Sequence, residues 1–119
     1  MATAVKTDTI YDTKWSLATL EGEPVNNNSD PMMGPEMPYF TISQDGSFQG
    51  RFGPLPIRGD SNVAGNDIEF ILAPYPRIWP GETVMRLVSY MHAVTRFTLN
   101  DSELKLYNED KELAGFKGA

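Results

Sequence analysis

The chain has 119 residues, 40% apolar and 11% aromatic, enough to bury one core without disulfide or metal staples. Its formal charge of −6, with ten basic residues scattered and none forming a run, argues against nucleic acid or an anionic membrane surface as partner. There is no cysteine, which excludes disulfides, thiolate-bound zinc, iron–sulfur clusters and thiol catalysis, and no stretch approaches the length of a membrane span.

Residues 1–12 read as a flexible polar lead-in, and 13–117 as a single domain. Met1 to Asp8 carries no basic region followed by an apolar run, so it does not read as a secretory signal. The compartment stays open between the cell interior and an exported form whose targeting segment has been removed. The first strand is Thr13 to Leu20, with Trp15, Leu17 and either Ala18 or Leu20 facing inward, and it ends at Glu21-Gly22-Glu23-Pro24. Asn26 to Pro38 holds three prolines, a glycine and an asparagine run, which marks a long irregular loop.

Tyr39 to Ser43 alternates and is rich in β-formers. Gln44-Asp45-Gly46 supplies a hairpin turn, because Asp-Gly tolerates positive φ, and Ser47 to Phe52 returns as the partner strand. Gly50, Gly53 and Gly59 then punctuate the chain, as expected where strands bend at barrel corners. Ala64 to Asp67 turns into Ile68–Leu72, the most apolar strand candidate. Pro74, Pro76 and Pro80 frame another loop.

The one helix is expected at about 81–93. Val84, Leu87, Val88 and Met91 fall on one face at helical spacing, with Thr95 extending the line, and Arg86, Ser89 and Tyr90 point outward. Glu82 suits the positive end of the helix dipole. Thr95–Leu99, Glu103–Tyr107 and Glu112–Lys117 then form a three-strand meander, with Phe97, Leu99, Leu104 and Leu106 inward. The fold class that follows is mainly β: a small antiparallel β-barrel, closed or nearly so, with the helix plugging or capping one side.

In this order the elements resemble a META domain, the family that includes the bacterial heat-inducible protein HslJ. The likeness covers roughly Lys14 to Phe116. It is carried by Trp15-Ser16-Leu17 with Leu20 and Gly22, by the Gly50, Gly53, Gly59 spacing, by the helix Glu82–Ala93, and by the blocks Val94–Phe97, Leu104–Leu106 and Leu113–Phe116. It implies a lipocalin-like barrel linked to stress response, the cell envelope or secretion, and brings no catalytic mechanism. One departure matters. Many members carry Cys-Asn after the second glycine and a second cysteine before the helix, where this chain has Pro54-Leu55 and Pro76-Arg77-Ile78-Trp79.

Reactive constellations are not found, so no catalytic residue, cofactor or metal ligand is assigned and the chain does not read as an enzyme. His92 is the lone histidine, without companions for a metal site. The local carboxylates Asp101/Glu103 and Glu109/Asp110/Glu112 fall in hairpin turns rather than across a cleft. Asp60, Asn62, Asn66 and Asp67 lack calcium-loop spacing. Arg58-Gly59-Asp60 spells an adhesion tripeptide and Asn27-Asn28-Ser29 a glycosylation pattern, each meaningful only on an exposed loop of an extracellular chain.

The proline loops stand apart. Met32, Met33, Met37 and Tyr39 on one, and Tyr75, Ile78 and Trp79 on the other, put large apolar groups on segments expected at the surface. Methionine adapts to varied contacts, and Trp and Tyr anchor interfaces. A protein or peptide partner held by loops 31–39 and 74–80 is the leading expectation, against which stands simple packing of the loops on each other or over the barrel mouth. The alternative is a carrier with a small apolar ligand inside the barrel. The oligomeric state stays open.

Overall fold

The computed structural model describes residues 10–25, 37–74, 81–100 and 102–118. Among these residues nine strands and one helix follow one another: β1 (Trp15–Leu20), β2 (Glu23–Pro24), β3 (Tyr39–Ile42), β4 (Ser47–Phe52), β5 (Leu55–Ala64), β6 (Asp67–Leu72), α1 (Glu82–Ala93), β7 (Arg96–Asn100), β8 (Glu103–Asn108) and β9 (Lys111–Gly118). All ladders are antiparallel, and β9 returns to pair with β1, so β1 and β3–β9 close an eight-strand barrel. Closure gives every ring strand a neighbour on each side, which limits the edge a small β fold offers to other chains. Two-residue β2 is the ninth strand, folded back on the end of β1 by Glu21 at φ 52° and Gly22 at φ 83°. Two successive positive φ values are the signature of the hairpin turn that matches strand twist.

Binary alternation decides which side each residue takes. A bulge between Leu17 and Thr19 in the β1–β9 ladder lets Leu17 and Leu20, three apart, both point inward, which selects Leu20 over Ala18. The lead-in is shorter than expected: Ile10 is buried at 3% exposure, Trp15 Nε1 donates to its carbonyl at 2.9 Å, and the Asp12 amide donates to Ile42. A buried indole N–H must find an acceptor, and this one recruits residues 10–12 into the domain.

The interior holds one cluster of buried apolar side chains. Phe40 stands edge-on to Phe116 at 5.0 Å and to Phe70 at 5.7 Å between ring centroids, and Phe70 in turn meets Phe48 at 5.1 Å. These rings come from β9, β3, β6 and β4, so the row crosses the barrel from wall to wall. Such perpendicular aromatic contacts add to the energy of burial.

The helix replaces a missing stretch of sheet. β6 and β7 share one residue pair, Asp67 with Arg96. Extending that register would set Ala93 opposite Phe70 and Met91 opposite Leu72, but the chain is helical there. Helix α1 instead packs against β6 and β9 and turns Val84, Leu87, Val88 and Met91 into the core. Val94 continues the buried line, while Thr95 is exposed and bonded to the β8–β9 turn. Gly81 opens the helix at φ 100°, a backbone few other residues adopt, and the Asn108 side-chain amide donates to the terminal Ala93 carbonyl at 2.7 Å.

Candidate interaction surface at the base of the two loops

Of the seven residues expected to bind a partner, Met37 and Tyr39 are described; Met32, Met33, Tyr75, Ile78 and Trp79 lie outside the described residues. Met37 is half-buried and packs on the core, and Tyr39 is half-buried at the start of β3 with Lys14 Nζ 4.4 Å from its ring centroid. A cation over an aromatic face is attracted by the ring quadrupole.

The strand register carries the two loop bases to one end of one wall. Tyr39 pairs with Arg51, and Arg51 with Pro56. Across the next ladder Gly59 pairs with Leu72, and the Ala73 amide donates to the Arg58 carbonyl, so Pro74 leaves the sheet beside Ile57. The first loop therefore arrives at β3, and the second departs from β6, three strands along the wall at the same end. Between them lies an open groove of about 370 Å³ lined by Gln49, Gly50, Pro56, Ile57, Arg58 and Pro74.

Alternation exposes Gln49, Arg51, Pro56, Arg58 and Asp60 on the outside of β4 and β5 and turns Phe52, Leu55 and Ile57 inward. This wall was not anticipated as a site. Its signal was present as the period-2 pattern Leu55, Ile57, Ser61, Val63, but Pro56 and Gly59 inside that run disguise it as punctuation. Arg58 and Asp60 stand on a regular strand with Gly59 turned inward between them, and not on the exposed loop that an adhesion tripeptide requires.

A second polar cluster joins the helix to the β1–β2 turn. The Tyr90 hydroxyl donates to the Glu21 carboxylate, Arg86 Nη2 lies 3.8 Å from that carboxylate and Lys111 Nζ 4.0 Å from it. The Glu21 carboxyl is held below the ordinary glutamate value chiefly by the hydrogen bond from Tyr90, with Lys111 and Arg86 adding to it. Because the folded value lies below the unfolded one, whatever stability the cluster supplies is present above the unfolded value and is lost as pH falls through the folded one. Tyr90→Phe is expected to move the Glu21 titration midpoint upward, toward the ordinary value, in side-chain carboxyl NMR; an unmoved midpoint would discount the hydrogen bond as its cause. The cluster lies on the surface and is explained by pinning α1 to the hairpin.

His92 is exposed near the helix C-terminus. Among the described residues no group of three or more His, Asp or Glu side chains is placed to hold a metal ion, and no helix is long and apolar enough to cross a membrane.

The backbone is similar to solved structures at low identity. A DUF4847 family protein from Bacteroides vulgatus ATCC 8482 superposes with a TM-score of 0.69 at 14% identity, over 91% of this chain and 93% of that one. A protein solved by NMR gives 0.69 at 14% identity, over 95% and 94%, and one from Burkholderia xenovorans, also solved by NMR, gives 0.67 at 13%, over 100% and 94%. At such identity the likeness concerns the fold. No family model matches the chain, and no curated protein matches it.

Proposed function

We propose that the chain is a non-catalytic binding domain that contacts a protein or peptide through loops 31–39 and 74–80. The observation that supports this best is the convergence of both loop bases, Tyr39 and Pro74, at one end of the β3–β6 wall. Two segments rich in methionine and aromatic residues, rooted about three strand spacings apart, can act as one surface. The META-like order of elements belongs to the same proposal, and with it a setting in stress response, the envelope or secretion. The carrier reading is disfavoured, because the phenyl row from Phe116 to Phe48 occupies the space that an apolar ligand would need.

Trp79→Ala and Met33→Ala are the test. A partner captured by the wild-type chain and identified by mass spectrometry is expected to bind each variant about tenfold more weakly in calorimetry, with the thermal midpoint unchanged. Undiminished binding in both variants would sink the loop assignment.

A further inference from the structure

The basic residues are scattered along the chain, but the fold brings three of them together. Arg51 on β4 and Arg58 on β5 both point outward, and since Arg51 pairs with Pro56, Arg58 is its diagonal neighbour, about 7 Å away between Cα atoms. Lys14 lies beside them over the ring of Tyr39, the residue paired with Arg51. Neither arginine forms an ion pair with a described residue.

Four carboxylates take the other end of the same wall. Asp60 comes first, paired with Ile71, followed by Glu69 opposite Asn62 and then Asp67. Asp45 joins them in the turn before β4, beside an open groove shared with Asp67 and Glu69. On a chain of formal charge −6, the wall is thus positive at the end where the loops attach and negative at the far end. Ile71, 51% exposed, is the large apolar side chain left in water among the described residues, and it sits on this wall one step from Arg58.

We propose that this wall docks an extended acidic segment of a partner protein. Carboxylates of the segment meet Arg51 and Arg58, an apolar side chain covers Ile71, and the groove between Pro56 and Pro74 receives the backbone. Charge complementarity selects the occupant: an anionic segment is attracted at the loop end and repelled from the far end, which gives it a direction as well as a place. Guanidinium groups suit the task because they grip carboxylates through two parallel hydrogen bonds. The inference rests on the binding-domain reading above and adds the chemistry of the partner.

The probe is a fluorescein-labelled dodecapeptide alternating aspartate with valine and threonine, titrated with the full chain by anisotropy. Versions with asparagine or lysine in place of aspartate serve as controls. Binding is expected for the acidic peptide alone, weakening as salt rises. The double variant Arg51→Glu/Arg58→Glu is expected to lose about tenfold in affinity, and Arg51→Gln/Arg58→Gln to fall between, both with an unchanged thermal midpoint. Equal binding by the reversed variant, equal binding of the asparagine peptide, or tighter binding to oligothymidylate or phosphatidylserine vesicles would each overturn the proposal. The loop variants keep its failure separate from that of the reading beneath it. Partner capture lost in Trp79→Ala but intact in Arg51→Glu/Arg58→Glu overturns the wall and keeps the loops; the reverse keeps the wall and overturns the loops.

Discussion

Phe40→Ala is expected to destabilise the chain by about 4 kcal/mol, the cost typical of emptying a buried phenyl site in a core. Phe40 has no exposed surface and stands edge-on to both Phe70 and Phe116, so it is the middle link of the row that spans the barrel. Truncation removes its own burial energy, opens a void that strands on opposite walls cannot easily collapse, and orphans two ring contacts. Small domains have about 5–15 kcal/mol in total, so the variant should unfold at much lower urea with the slope of the transition preserved. Phe40→Leu keeps most of the volume and should lose less than half as much. A midpoint for Phe40→Ala within error of wild type would mean that the lumen is not held by this ring.

Gly50→Ala carries the second-largest expected effect, about 3 kcal/mol, at the upper end for overpacked cores. A methyl group built on Gly50 falls 2.0 Å from the Tyr39 carbonyl oxygen and 2.6 Å from the Phe40 Cα. Both obstacles are backbone, which cannot swing aside as a flexible side chain can. Gly59 meets the same obstacle on β5, where the added methyl would fall 2.1 Å from the Ile71 carbonyl oxygen. At these two inward positions a neighbouring strand lies across the place where a side chain would stand, which lets a small sheet coil tightly enough to close. Gly65→Ala is the informative control: it has open space but a φ of 61°, so its cost should be local strain of about 1 kcal/mol. Equal midpoints for Gly50→Ala and Gly65→Ala in thermal unfolding would refute the close-approach account.

Much of this barrel is legible in the residues because most strands have one wet face. Leu104 and Leu106 alternate with Lys105 and Tyr107, and β8 follows directly. Val84, Leu87, Val88 and Met91 repeat at helical spacing, and α1 begins one residue later than expected at Glu82. What escapes is whatever depends on geometry between strands. The ten residues of β5 hide behind Pro56 and Gly59, yet that proline points outward and that glycine marks a crowded crossing. The β1–β2 hairpin was legible as a strand end at Glu21-Gly22, but two paired residues leave too little pattern to reveal a return strand.

The candidate surface divides in the same way. The composition of the two loops points to contact chemistry, since methionine and tryptophan in proline-framed segments are conspicuous in any reading. Their common end of the barrel is not legible, because it follows from the ladders that pair Tyr39 with Arg51, Arg51 with Pro56 and Gly59 with Leu72. For the same reason the charges looked dispersed: Lys14, Arg51 and Arg58 become neighbours only through register.

The single residue pair joining β6 to β7 makes the ring a bracelet fastened by one link, with α1 lying over the clasp. The Ile68 amide donates to Thr95 across that link, and by the parity of the strand the amides of Phe70 and Leu72 face the same way, beneath the helix. Lifting α1 uncovers a ready-made template for another strand. Heat or acid that loosens the helix first should therefore make copies of this chain adhere to one another through β6 before the remaining sheet comes apart.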